Sequence, residues 1–324
     1  MDVPTPRPAG ATGAAPAGRP LVVVGIDGSD GSRAALRYAL AAAARRQAEL
    51  EVIAARPPRR WAWESEDDPP GLAAELADLR ERADAFWAEV RAGAPEAEGV
   101  PVHVLTVAGH PGDLLVEAAE QADLLVVGSR GRGAVRSALL GSVALHCVTD
   151  APCPVAVVHP MGDRAGGPVL AAVDAAPSGR AVLAAALDEA ARLGVRLDVL
   201  TAYQGDDSWT DVVATAGPND DEVLAALRSR VDEVVAQVRQ EAAPRLGDRL
   251  PEVRTEAVLD APADALDERS GVAQVIVVGS SAHGPRRGLA LGSVALHTVV
   301  RAACPVLVVH PAEVGAAAPE PAPA

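Results

Sequence analysis

The chain is predicted to be an α/β protein built from two tandem doubly wound domains, and three features of its sequence lead there. First, it repeats. Asp27 is matched by Asp174, Arg33 by Arg180 and Leu36 by Leu183, each pair 147 residues apart; further on, Asp113 is matched by Asp264, Gly128 by Gly279 and Gly141 by Gly292, each pair 151 apart. Collinear matches at two nearly equal offsets describe a duplicated domain with a few residues inserted in the middle of its second copy, at a period far too long for a solenoid. Second, short apolar runs alternate with amphipathic stretches through each copy, as in a parallel sheet covered on both faces. Third, a glycine-spaced segment follows the fourth apolar run of both copies.

In the first copy LVVVGI is short and apolar throughout, so it is expected to be a buried strand. SRAALRYALAAAARRQ follows as a helix with Ser32 as its expected cap. LEVIAA is the second strand, PPGLAAELADLRERADAFWAEVRAG a long amphipathic helix, VPVHVLTV the third strand and PGDLLVEAAEQ a helix. DLLVVG, SVALHCVTD and PVAVVHP complete the unit as strand, helix and strand. The expected layout is a tail at 1–18, domains at 19–160 and 167–312 joined by a linker at 161–166, and a second tail at 313–324. Both tails are rich in Ala, Pro and Gly and hold almost nothing to bury, so they are expected to be disordered.

With 324 residues, each domain can bury most of its apolar surface without disulfides or metals. The net charge of −15 disfavours a nucleic-acid binder, because phosphate backbones are held by clustered positive charge. Cys147, Cys153 and Cys304 are too few and wrongly spaced for a disulfide framework or a zinc site, which points to a reducing cytoplasm. No apolar stretch reaches the ~20 residues of a membrane span, and the N-terminal segment lacks the apolar centre of a signal peptide.

The chemistry is expected where strands end. In open α/β sheets ligands bind beyond the carboxyl ends of the strands, where strand order reverses. Gly128 directly follows the fourth strand, and Gly131 comes one turn of loop later. Either could take positive φ, or let a phosphate approach a backbone that has no Cβ in the way. Gly141 and Ser142 then open a helix, whose N-terminus offers unpaired N–H groups and a positive dipole end. That spacing describes a phosphate cradle in two halves, with Arg130, Arg132 and Arg136 as countercharge. A plainer reading is that the glycine ends the strand, the serine caps a helix and the arginines are solvated. Asp27, at the end of the first strand before Gly28 and Ser29, would face the cradle from the other side and bind ribose hydroxyls or a Mg²⁺ ion shared with the phosphates; alternatively it caps the following turn. A P-loop is excluded, since GxxxxGK[ST] is missing and the chain contains no lysine. No GxGxxG follows the first strand, which disfavours a dinucleotide.

The VGIDGS turn, the helix SRAALRYAL, the passage HPGDLLVEAAEQADLLVVGSRGRG, and above all Gly128-x2-Gly131-x9-Gly141-Ser142 followed by CPVAVVHP resemble the ATP-binding signature of the universal stress protein family. The resemblance spans roughly residues 19 to 160 and 166 to 312. It implies a five-stranded parallel sheet of order 3-2-1-4-5 in each domain. It further implies ATP contacts at Asp27 (ribose or metal), at Ile53 (adenine, through its backbone) and at Gly128, Gly131, Gly141, Ser142 and Val143 (phosphates). The second copy keeps Asp174, Gly279, Gly292 and Ser293 but has Ala282 and Ser281 where the first has Gly131 and Arg130. It is expected to bind ATP weakly or not at all. The order also makes PVAVVHP and PVLVVHP edge strands, expected to pair with each other as an intramolecular pseudo-dimer; further homodimerisation is left open.

His146 and His297 are expected to be packed or capped, His283 exposed, and Cys153 and Cys304 buried and inert. Trp61 and Trp63 lie in a proline-rich loop that either covers part of the sheet or closes over a ligand. No paired acid and base stands out. The expected function is a cytoplasmic, ATP-binding regulator of stress responses whose occupancy alters its conformation or an unidentified protein partner. A slow ATP hydrolase or nucleotidyl transferase on the same fold, and a scaffold that binds no nucleotide, are the alternatives.

Overall fold

The computed structural model describes residues 19–57, 71–131, 140–160, 166–174, 178–204, 220–280 and 291–310. The first half runs β1 (Leu21–Ile26), α1 (Asp30–Arg46), β2 (Glu49–Arg56), α2 (Leu72–Ala92), β3 (Val102–Ala108), α3 (Pro111–Ala119), β4 (Leu124–Gly128), α4 (Ser142–Asp150) and β5 (Val155–Val158). The second repeats it: β6 (Val169–Ala172), α5 (Ser178–Leu193), β7 (Leu197–Tyr203), α6 (Asp220–Leu246), β8 (Val253–Leu259), α7 (Pro262–Ser270), β9 (Val275–Gly279), α8 (Ser293–Arg301) and β10 (Val306–Val309). Each half is a parallel sheet of order 3-2-1-4-5. The halves join into one ten-stranded sheet, β3-β2-β1-β4-β5-β10-β9-β6-β7-β8.

The alternation of strand side chains divides the core between the two faces. Val22, Val24 and Ile26 of β1 point into one layer, with Leu36 and Leu40 of α1, Leu183 and Leu187 of α5, and residues of α2 and α6. Val23 points into the other, with Leu115 of α3, Val148 of α4, Leu266 of α7 and Val299 of α8. Both layers run across the two halves. Burying β1 on both faces is why it reads as a continuous apolar run.

The first helix starts earlier than the sequence predicts. Ser29, not Ser32, is its N-cap: the Ser29 hydroxyl accepts from the Ser32 N–H at 3.1 Å. Ser32 is buried in the first turn and donates its own hydroxyl back to the Ser29 carbonyl at 2.9 Å. Capping works because the first N–H groups of a helix lack intrahelical acceptors, and Ser29, with extended dihedrals, is the residue placed to supply one. Arg45 and Arg46 in the last turn complement the negative end of the dipole.

The halves meet through their fifth strands, which pair antiparallel with Leu307 opposite Ala156 and Val306 opposite Val157. On one face of this seam Arg46 of α1 reaches Glu189 of α5 at 2.5 Å. On the other, His310 Nε2 lies 2.9 Å from the Val148 carbonyl of α4. Without its partner half, β5 would present four buried valine and alanine residues along an unpaired edge. Each half expressed alone is therefore expected to self-associate through that edge. Sedimentation of a half that keeps its circular dichroism yet stays strictly monomeric at high concentration would refute this.

Candidate functional site

β1 pairs with β2 on one side and β4 on the other, so the chain changes direction across the sheet between β1 and β4. The carboxyl ends of these two strands border the crevice where the cradle residues collect. Asp27 follows β1, is exposed, and accepts from the Ser29 N–H at 3.0 Å. Gly28 takes φ 78°, which lets the chain turn from strand to helix within three residues. Across the crevice a Cβ placed on Gly131 would lie 2.5 Å from Asp27 Oδ2. The carboxylate thus occupies the space that any side chain at 131 would need.

Gly128 and Gly131 both adopt ordinary negative-φ or extended backbone, so positive φ is not the reason for either glycine. The reason is close approach. A Cβ on Gly128 would stand 2.7 Å from the carbonyl carbon of Gly31 in the first turn of α1, and one on Gly31 would collide with the Arg130 carbonyl. Two glycines let helix and strand end meet backbone to backbone. This draws the loop after β4 against the start of α1.

The loop is pinned at its two ends. The Ser129 N–H donates to the Val158 carbonyl at 2.8 Å, and the Gly141 N–H donates to the Ser129 carbonyl at 2.9 Å. Gly141 is the N-cap of α4 and offers no side chain to its first turn, so the N–H groups after Ser142 and Val143 keep their capacity for an outside acceptor. Ser142 is exposed and Val143 half-buried against the core. Arg130 is exposed at the start of the loop. Burial holds the nearby His159 imidazole below its ordinary value; the Val299 carbonyl opposes this, and the Arg130 guanidinium adds to it. The structure therefore gathers Asp27, Gly28, Ser29, Gly128, Arg130, Gly131, Gly141, Ser142 and Val143 around one crevice.

Ile53, expected to meet adenine through its backbone, lies on the neighbouring strand β2. It stands inside the sheet, opposite Gly25 on β1 and Leu105 on β3, and its side chain is buried. The end of β2 that reaches the crevice is Arg56, paired with Glu75 at 2.6 Å, its carbonyl accepting from the Gly109 N–H at 2.9 Å. Sequence reasoning missed Arg56 because it ended β2 with LEVIAA, one residue before Arg56. A basic residue just before a proline pair read as loop.

In the second half Asp174 is exposed beyond β6, Gly279 ends β9, and Gly292 caps α8 ahead of Ser293, its N–H donating to the Ser280 carbonyl at 2.9 Å. The backbone frame of the cradle is thus retained. Among the described residues a Cβ on Gly279 would meet a Val182 methyl, at 3.3 Å, where Gly128 meets backbone. Ser281, Ala282 and His283 lie outside the described residues, as do Arg132, Arg136, Trp61 and Trp63.

The remaining candidates sit elsewhere. His146 packs over Gly112 with Nε2 3.3 Å from Asp113 Oδ1, on the α3–α4 surface and away from the crevice. His297 Nε2 is buried without a hydrogen-bond partner among the described residues. The three cysteines are buried and form no disulfide, and burial pushes the Cys147 thiol up to about 12 and Cys153 to about 11, so neither is a thiolate at neutral pH. Among the described residues no cluster of His, Cys, Asp and Glu could hold a metal, and no helix is long and apolar enough to cross a membrane.

The model of the universal stress protein family matches residues 20–159 and again residues 167–310. A universal stress protein of Mycobacterium tuberculosis (strain H37Rv) is 33% identical over 311 residues, 89% of this chain and 96% of that protein. Among solved structures, the chain is similar in fold to a universal stress protein from Archaeoglobus fulgidus, with a TM-score of 0.63, 22% identity, and 90% and 98% of the two chains covered. A universal stress protein solved in complex with cAMP is 33% identical and covers 44% of this chain and 98% of its own, with a TM-score of 0.35.

Proposed function

Because the chain belongs to the universal stress protein family, in two tandem copies, we propose that its first half binds ATP in the crevice between β1 and β4, and that the protein is a cytoplasmic, nucleotide-dependent regulator. The observation that carries this reading is the space at Gly131. An exposed carboxylate fills the position where a Cβ would stand, and the start of α4 closes the far side of the loop. A bare backbone, helix N–H donors and a guanidinium suit a polyphosphate, and a carboxylate opposite suits a ribose or a phosphate-bound Mg²⁺. Asp27, Gly28 and Ser29 would hold the ribose and metal side. Gly128, Gly131, Gly141, Ser142 and Val143 would hold the phosphates through backbone. Adenine would lie along the end of β2, against the backbone from Ile53 toward Arg56. In this reading ATP acts as a bound signal. Phosphoryl transfer would need an oriented nucleophile besides the cradle.

The second half keeps the frame but replaces Gly131 by Ala282 and Arg130 by Ser281. It loses backbone access and countercharge together, and binds weakly or not at all. Calorimetry of the full chain with ATP is expected to show one strong site. In Arg130→Ala, ATP binding should weaken by ~1 to 3 kcal/mol while adenosine binding changes little, because the lost contact is a charge-assisted hydrogen bond to phosphate. Two equal strong sites, no site at all, or equal losses for ATP and adenosine would contradict the reading.

A further inference from the structure

At the opposite end of the strands from the crevice, the seam between the halves forms an open-mouthed cavity of about 470 Å³. Pro20, Asp123 and Pro154 mark its floor at the amino ends of β1, β4 and β5, while α1, α5 and the turn after α6 supply Arg45, Arg46, Arg192 and Arg249. Cavities of this size that use both halves of a molecule are where small ligands usually bind.

Its carboxylates are already engaged. Asp123 accepts from the Leu21 N–H at 2.8 Å. Asp188 is held by Arg245 at 2.6 Å and Arg192 at 3.8 Å. Glu189, fully buried behind the wall, is held through one oxygen by Arg46 at 2.5 Å and Arg192 at 3.5 Å, its other oxygen having no hydrogen-bond partner among the described residues. Arg45 and Arg249 are left without a carboxylate partner among the described residues, and the Arg45 Nε–H is buried with no acceptor. A buried guanidinium donor without an acceptor is costly, and an anion in the cavity would remove that cost.

Two ordinary explanations fall short. Arginines at the end of a helix favour its dipole, but that benefit needs only their charge and leaves the buried, unanswered Nε–H of Arg45 unexplained. Duplication accounts for Arg45 and Arg192, which match each other at the offset of 147, but not for Arg46 and Arg249, whose matching positions are Leu193 and Glu98. The cationic lining thus draws on both sides of the seam.

We propose that this cavity is a second anion site, which takes the phosphate group of a small phosphorylated molecule between the halves, with Arg45 and Arg249 as its principal donors. Occupied, it ties α1 of the first half to α5 and the α6 turn of the second. The site is independent of the ATP crevice, and either can be absent without the other.

The test is calorimetry of the full chain with inorganic pyrophosphate, with ATP titrated in parallel. In Gly131→Ala, which obstructs the crevice, pyrophosphate binding at the seam should persist. Arg45→Gln and Arg249→Gln should each weaken it by about tenfold or more, as expected for loss of a charged donor, and leave ATP binding unchanged. Arg249 is exposed on its turn, so its variant should fold even if Arg45→Gln does not. Pyrophosphate binding that is absent in the wild-type chain, lost in Gly131→Ala, or unchanged by Arg249→Gln would overturn the proposal. Loss of ATP binding alone would count against the crevice and not against the seam.

Discussion

Replacing Gly131 by alanine is expected to lower the affinity for ATP by tenfold or more, about 1.4 kcal/mol, with little change in thermal stability. A Cβ there would come within 2.5 Å of Asp27 Oδ2, well inside contact distance, so the carboxylate must swing away or the loop must lift. Asp27 is exposed and its carboxylate is the end of a side chain, so the fold absorbs the shift at small cost. The ligand does not, because the same change removes the approach to the loop backbone and displaces the group facing the ribose or metal. Gly292→Ala, at the corresponding helix start of the second half, should leave the strong site intact. Calorimetry with ATP, beside a thermal melt, reads both quantities. A strong site that survives Gly131→Ala, or one that vanishes with Gly292→Ala, would reverse the assignment of the halves.

The largest expected effect on stability comes from Arg46→Met. Glu189 is fully buried and Arg46 nearly so, and they face each other across the seam at 2.5 Å. One Glu189 oxygen lacks a hydrogen-bond partner among the described residues, so the carboxylate depends on Arg46 and on the more distant Arg192. Removing Arg46 leaves a buried charge poorly compensated, which costs roughly 3–5 kcal/mol. Adding Glu189→Leu should recover most of that loss, since a buried ion pair and a packed apolar pair are often close in energy. Urea denaturation followed by circular dichroism checks both. A single variant that unfolds at the wild-type midpoint, or a double variant weaker than the single, would show that the pair does not hold the seam.

The interior strands of this fold were plain in the sequence for a local reason. β1 and β4 are buried on both faces, so each is written as an unbroken apolar run, and the repeat confirmed each element by a second copy. The cap of α1 was not, because Ser29 and Ser32 both precede apolar periodicity and only the backbone dihedrals distinguish the residue that caps from the one that is buried. The glycines were recognised but half their rationale was mistaken. Gly128 is required by Gly31, roughly a hundred positions earlier in the chain, and a steric demand between distant segments leaves no local pattern. The extension of β2 to Arg56 was hidden similarly: how far a strand extends toward a crevice depends on its register with β1 and β3.

What the sequence alone determined is the duplication, the parallel α/β class and the strand order implied by its family resemblance. These follow from patterns a few residues long, repeated twice. What only the tertiary structure decided is the backbone contact of Gly128 with Gly31, the carboxylate of Asp27 standing against Gly131, and the seam where Arg46 meets Glu189 and four arginines line one cavity. Each of these is a meeting of groups from different elements or different halves. Their energies arise from desolvation and close approach, which exist only once the chain has folded.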